Sequence, residues 1–312
     1  MGEFEFIAWL RSRTPAAQRV TVGPGDDAAA LQVPGEGELL LTTDMLLEGS
    51  CFRLSVTGAR DGAEPRAVGR KAMAVNLSDI AAMAGEPLAA VASVGLPRSG
   101  GRAIAEELYR GLREVGDRFG TPLVGGDTNS WDGPLVISVT VLGRAVPPGP
   151  VRRSGARPGD WLLVTGPLGG SILGKHLDFT PRVREALRLL SLAPLHAMID
   201  LSDGLAGDLG HLCRESGCGA VLSAGSIPVS PAAEELSRRD GLPPLEHALR
   251  DGEDFELLFA VAPEDGRRLL ETQPVEGVTL ARVGECVASG VWLEQDGVRK
   301  PLEPRAFEHR LT

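Results

Sequence analysis

The stretch PPGPVRRSGARPGD (residues 147–160) constrains this chain more than any other. Its prolines, glycines and arginines leave no apolar period of either a strand or a helix, so no regular element runs through it. The chain is thereby cut into two halves, and both show mixed patterning. Before the break, GELLLTTD (37–44), PLAAVASVGLP (87–97) and GPLVISVTVLGRAV (133–146) read as strands, from β-branched and leucine content bounded by Gly and Pro. Residues 101–119 read as a helix because Ile104, Leu108, Leu112, Val115 and Phe119 recur at intervals of three or four. Residues 65–84 read as a second helix, opened by Pro65 and rich in small residues that permit close packing. After the break come a strand DWLLVTG (160–166), a helix near 181–192, a strand FELLFAVAP (255–263) and a hairpin turning at Asp296–Gly297. With 312 residues, 43% hydrophobic, the chain exceeds the roughly 250–300 residues that one core serves. The expected class is α/β of the α+β type, with mixed α/β domains over residues 1–148 and 149–312.

A net charge of −10 opposes general affinity for nucleic acid or anionic membrane. No window approaches the ~20 apolar residues of a membrane span. The opening MGEFEFIAWLRSR is too short and acidic for a signal peptide, so a cytoplasmic protein is expected. Cys51, Cys213, Cys218 and Cys286 form no CxxC pair and no zinc spacing, which leaves reduced thiols. Lysine occurs only at Lys71, Lys175 and Lys300.

The carboxylates carry the chemical signal through their placement. Asp26 and Asp27 in GPGDDAAAL follow a Gly-Pro-Gly turn where the chain is about to enter a core. A bare buried carboxylate is costly, so the pair either caps a solvated turn or meets a cation. Asp44 closes LLLTTD, Asp127 follows two glycines in PLVGGDT, and Asp200 and Asp203 sit where AMIDLSDGL turns from apolar stretch to helix. Segment ends of this kind are where open α/β sheets bind ligands. Asp79 lies one turn beyond Asn76 on the small-residue helix. Any single one suits a cap or turn; together they suggest convergence. Two carboxylates ~4 Å apart repel by ~4 kcal/mol at an effective dielectric near 20, so a converging set needs neutralising. Carboxylates with the hydroxyls of Thr42 and Thr43 form an oxygen-only donor set suited to Mg²⁺ and, through it, to a nucleotide. Ser202-Asp203-Gly204 at a helix start offers a hydroxyl and free N–H groups to a phosphate oxygen. GGSILGKH (169–176) imitates a P-loop but places His176 where Mg²⁺ needs Ser or Thr, so it reads as a tight turn with Lys175 as a surface residue.

The ordered set GPGDDAAAL, TTDMLLEGSCF, GRKAMAVNLSDIAAMAGEP, GGDTN, RSGARPGDWLLVTG, IDLSDGLAGDLGHL and GEDFELLF, running from residue 23 to 259, resembles the thiamine-monophosphate kinase family. That family's superfamily includes aminoimidazole ribonucleotide synthetase, selenophosphate synthetase and a hydrogenase-maturation protein. The resemblance implies an N-terminal domain that dimerises through its sheet, a homodimer, and ATP-dependent conversion of thiamine phosphate to thiamine diphosphate. It further implies Mg²⁺ ligands at Asp27, Thr43, Asp44, Asp79, Asp127, Asp200 and Asp203, with Thr42 beside them. Asp27, Asp44, Asp127 and Asp203 are the implied catalytic acids. Gly126, Asp127, Arg153 and Ser202 match nucleotide contacts, and Cys51, Glu253 and Phe307 fall at acceptor positions. A need for K⁺ is left open. Two departures touch the acceptor side: Cys51 stands where relatives carry His or Asp, and the C-terminal aromatic motif is reduced to Ala306-Phe307-Glu308-His309.

The chemistry is consistent with these residues. Phosphoryl transfer asks mainly for positioning and charge neutralisation. An acceptor phosphate is largely ionised at neutral pH and needs no general base. The alternatives are another acceptor on the same fold and a non-catalytic nucleotide binder. The cysteine motif of selenophosphate synthetase is not found before residue 23, and the chain ends in Leu311-Thr312 rather than the reactive cysteine of the hydrogenase-maturation protein.

Overall fold

The structure, a computed structural model, describes residues 3–15, 17–55 and 62–304. In the first half, helix α1 (Glu3–Arg13) precedes strands β1 (Val20–Val22), β2 (Ala29–Val33) and β3 (Gly37–Leu47). Helix α2 (Pro65–Ala82), strand β4 (Gly85–Pro97), helix α3 (Gly101–Arg118) and strands β5 (Leu123–Trp131) and β6 (Val136–Ala145) follow. The six strands form one sheet in the order β1-β2-β3-β6-β4-β5, antiparallel except for β4 with β5.

The second half contains β7 (Trp161–Val164), α4 (Val183–Leu192), β8 (Ala197–Asp200), α5 (Leu205–Ser216) and β9 (Gly219–Ser223). It continues with α6 (Pro231–Asp240), α7 (Pro244–Arg250), β10 (Leu257–Val261), α8 (Pro263–Thr272), β11 (Ala281–Val287), β12 (Val291–Gln295) and β13 (Val298–Pro301). Its seven strands run β13-β12-β9-β11-β7-β10-β8, with β9 and β12 parallel. The hairpin does turn at Asp296–Gly297, both at positive φ as a tight two-residue turn requires.

Period-two alternation along β3 sends Leu40, Thr42 and Leu46 inward and leaves Leu41, Thr43, Met45 and Leu47 on the outer face. α2 lies beneath the inner face. Thirteen of its 18 residues are buried, because it also packs on α3, α4 and β8. Close approach to α3 depends on two glycines. A Cβ at Gly69 would stand 2.2 Å from the Leu108 carbonyl oxygen, and one at Gly111 would stand 2.0 Å from that of Arg66.

The larger hydrophobic cluster does not stop at the 147–160 break. It runs from Leu40, Ile80 and Val139 through to Leu163, Met198 and Phe259, on one face of the second sheet. The other face of that sheet packs on α5 and α7 through a separate cluster around Leu162, Leu205 and Leu249. Two sequence readings need correcting. The sequence pattern puts Asp44 and Asp127 at the ends of apolar segments, yet β3 and β5 continue past both, since Met45-Leu46-Leu47 and the residues after Gly126 keep pairing. No helix among the described residues is long and apolar enough to cross a membrane.

Candidate functional site

The packing of α2 against both sheets brings acids from three separate stretches together. Carboxylate oxygens of Asp27, from the turn before β2, Asp79, from α2, and Asp200, at the end of β8, lie within 4.8 Å of one another. Each is held by a neighbour. Arg153 donates to Asp27 through Nη2 and Nε at 2.7 and 3.1 Å. Thr42 Oγ1 donates to Asp79 at 2.5 Å, and Ser78 Oγ donates to Asp200 at 2.6 Å. Asn76 Oδ1 accepts the Asp44 backbone N–H at 3.1 Å, which fixes that strand residue against the helix.

The adjacent pair at 26–27 divides its labour. Asp27 faces the cluster. Asp26 accepts the N–H groups of Asp27 and Arg153, at 3.1 and 3.2 Å, and so ties the turn to the start of the second half.

One guanidinium cannot neutralise this set. Burial, and then the Asp27 charge, push Asp200 up to about 8. Burial followed by the charges of Asp44, Asp200 and Asp27 raises Asp79 well above the carboxylate range. Burial also raises Asp44, and Asp208 on α5 is driven up by burial and the nearby Asp203. The donors are all oxygens of carboxylates and hydroxyls, which fits Mg²⁺ and does not suit a soft metal.

A cavity of about 410 Å³ opens beside the cluster, lined by Asp44, Asp79, Asp200, Ser202 and Asp203 together with Cys51, Glu253 and Phe255. The Asp203 N–H donates to Asp208 at 3.1 Å. Glu253 and Phe255 both have positive φ, near 50°, a strained backbone for residues other than glycine. Phe255 stacks on Phe179 with ring centroids 4.0 Å apart.

Other expected residues are not gathered here. The Thr43 hydroxyl lies on the outer face, donating to the Val139 carbonyl at 3.2 Å, because it is out of phase with Thr42 and Asp44 along β3. Asp127 accepts from Asn129 on exposed β5. The register places it in the row of Met45, Ser138 and Ser93, three strand spacings or about 14 Å from β3. With Gly126 it lines a separate cleft of about 250 Å³ beside Tyr109, the single tyrosine of the chain. Phe307 lies outside the described residues.

The P-loop imitation is settled by its partners. The Gly169 and Gly170 N–H groups each donate at 2.8 Å to the chain's own Asp254 and Asp251. Lys175 is no free surface residue: with Arg182 it pairs with buried Glu256, at 2.8 and 2.7 Å. Sequence reasoning also passed over Lys71, Asn76, Ser78 and Asp208. The available signal for the first three was that they are polar residues on a helix rich in small apolar ones.

Known proteins match this chain over nearly its whole length. Residues 25–145 match the AIR synthase related protein, N-terminal domain, and residues 157–292 match the corresponding C-terminal domain. The thiamine-monophosphate kinase of Rhodopirellula baltica is 42% identical over 298 residues, covering 93% of this chain and 91% of that one. The Escherichia coli K12 protein of the same name is 34% identical, over 100% and 99% of the two chains. The structure of AaThiL complexed with AMPPCP and TMP superposes with a TM-score of 0.84 at 30% identity, covering 99% of this chain and 97% of that one. The hydrogenase maturation protein HypE shares the fold, at 20% identity and a TM-score of 0.70 over 94% of this chain and 96% of that one.

Proposed function

Because this chain belongs to the thiamine-monophosphate kinase family of AIR synthase related proteins, we infer that it transfers the terminal phosphoryl group of ATP to thiamine phosphate, giving thiamine diphosphate. The observation that carries this reading is full-length kinship combined with a buried, oxygen-only acid cluster at the mouth of a cavity.

Asp27, Asp79 and Asp200, with Asp44, would hold Mg²⁺. Bound there, Mg²⁺ supplies the positive charge that lets two phosphate groups approach each other. Thr42 and Ser78 orient the carboxylates, and Arg153 holds Asp27 in place. Ser202 and the start of α5 provide a hydroxyl and N–H groups for a phosphate oxygen. No histidine or lysine lines the cavity among the described residues, which suits an acceptor that arrives ionised. Glu253 offers a carboxylate to a cationic thiazolium ring at the far end, with Cys51 on the same wall.

A homodimer is part of the reading. The outer face of the first sheet exposes Leu41, Met45, Leu47 and Val91, an apolar face suited to a second copy. Thr43 and Asp127 share that face, so pairing would draw them toward the seam between subunits, where a nucleotide could bridge them.

The test is turnover of Mg-ATP with thiamine phosphate or thiamine as acceptor. Thiamine phosphate should be consumed and thiamine left untouched, with activity abolished by EDTA. Efficient use of thiamine, or consumption of some other phosphate acceptor instead, would overturn the assignment.

A further inference from the structure

Lys71 is among the largest completely buried side chains of the protein, and nothing in the phosphoryl-transfer chemistry above uses it. A buried ammonium is costly unless it is paired and hydrogen-bonded, so its placement calls for a reason. Lys71 sits in the middle of α2. Its Nζ donates to Glu253 Oε1 at 2.5 Å and to the backbone carbonyl of Cys51 at 3.1 Å. Those are the two described residues that the acceptor end of the cavity was expected to use, one from each half of the chain, and a single ammonium holds both.

The helix sets the scale. Lys71 and Asp79 are eight residues apart on α2, about 12 Å along its axis at 1.5 Å per residue. Asp79 marks the metal end of the cavity, and Lys71 marks the end where Cys51 and Glu253 stand. Backbone contacts fix the Glu253 main chain: its N–H donates to the Ser202 carbonyl at 2.7 Å, and its φ of +52° is strained. The side chain is another matter. It is about one-third exposed, and among the described residues Lys71 is the hydrogen-bond partner of its carboxylate. Without that partner, a flexible glutamate at a cavity wall has no reason to hold one rotamer.

We propose that Lys71 is a positioning residue that fixes Glu253 and the Cys51 turn in the geometry that receives the acceptor. One carboxylate oxygen is bound to the ammonium, and Oε2 is left for the ligand. The proposal rests on the reading of this end as the acceptor site.

The experiment is a kinetic comparison of Lys71→Met, Lys71→Arg, Glu253→Gln and the Lys71→Met/Glu253→Gln double variant, with thermal unfolding alongside. Lys71→Met should raise KM for thiamine phosphate about tenfold or more, the scale of losing one charged hydrogen bond, while KM for ATP and kcat stay within about threefold. Lys71→Arg should recover much of the loss. If Lys71 acts through Glu253, the double variant should be no worse than the poorer single one. Should Lys71→Met be too slow to assay, calorimetric binding of thiamine phosphate in the presence of AMPPCP reads the same quantity. An unchanged acceptor KM, an equal rise in both KM values with a lower Tm, or fully additive losses would each overturn the proposal. Failure of the unmodified chain to use thiamine phosphate would instead refute the functional reading itself.

Discussion

The acid cluster should bind Mg²⁺ in exchange for protons, with an affinity that climbs steeply with pH. Near neutral pH and without metal, Asp200, pushed up to about 8 by burial and the Asp27 charge, is mostly protonated. Burial and its three acidic neighbours shift Asp79 in the same direction, toward the protonated form. A divalent cation must displace these protons before the carboxylates can ligate it. For each proton displaced, apparent affinity rises about tenfold per pH unit below the group's own pKa. One proton gives about 50-fold between pH 6 and 8, since the rise flattens at the pKa, and a second would give more. The sign for stability is opposite when metal is absent. The folded state holds the Asp200 proton where the unfolded chain, at 3.8, has lost it. Metal-free stability is therefore full at low pH and falls as pH rises from about 4 to about 8, by roughly 1.4 kcal/mol per unit for that one group. Thermal unfolding in EDTA and in saturating MgCl₂ across this range should show two curves that diverge with rising pH. Calorimetry in two buffers of different ionisation enthalpy should count at least one proton released. Parallel curves and no proton release would refute the reasoning, since the carboxylates would then be ionised before the metal arrives.

Asp27→Asn should remove Mg²⁺-dependent stabilisation and cut turnover by about 10²-fold or more, the scale of losing a principal charge contact, whereas Asp26→Asn should cost far less turnover. Equal, mild effects in steady-state assays would reduce both residues to turn formation. Lys175→Ala should keep kcat and KM for ATP within about threefold but lower Tm, since Arg182 still meets Glu256 while one buried charge contact is lost. A large loss of ATP use would restore the P-loop reading. Met45→Asp on the outer sheet face should convert a dimer into monomers by light scattering. A native chain that is already monomeric and active would remove the dimer from the proposal.

Elements with a clean period were readable from the residues alone: α3 by its three-and-four spacing, β4 and β6 by β-branched runs between glycines, the last hairpin by Asp296-Gly297. Convergence of Asp27, Asp79 and Asp200 could be suspected from where each acid falls, though only the packing of α2 between the first sheet and β8 brings them together. Strand phase was harder. Thr42 and Thr43 look interchangeable in sequence, but one step along β3 turns one toward Asp79 and the other to the outer face. Asp127 shows the same limit, because distance across a sheet depends on strand order, and β5 is three strands from β3. Lys71 was hidden for a different reason. A lysine in a helix is ordinarily solvated, and its partner is 182 positions away in the chain.

The position of α2 bears on how the molecule comes apart. This helix is covered by the first sheet and α3 on some sides and by α4 and β8 on others, and the apolar cluster around it draws residues from both sides of the 147–160 break. Cutting the chain there would split this shared cluster and bare the faces of α2 and α4 that meet within it, leaving only the second half's own cluster around Leu162, Leu205 and Leu249 closed. Heating should accordingly melt the protein in one cooperative step, with no stage at which one lobe survives alone. The acids that α2 and β8 contribute belong to that same seam, so the first loosening of the lobes would also dissolve the acid cluster and the cavity beside it.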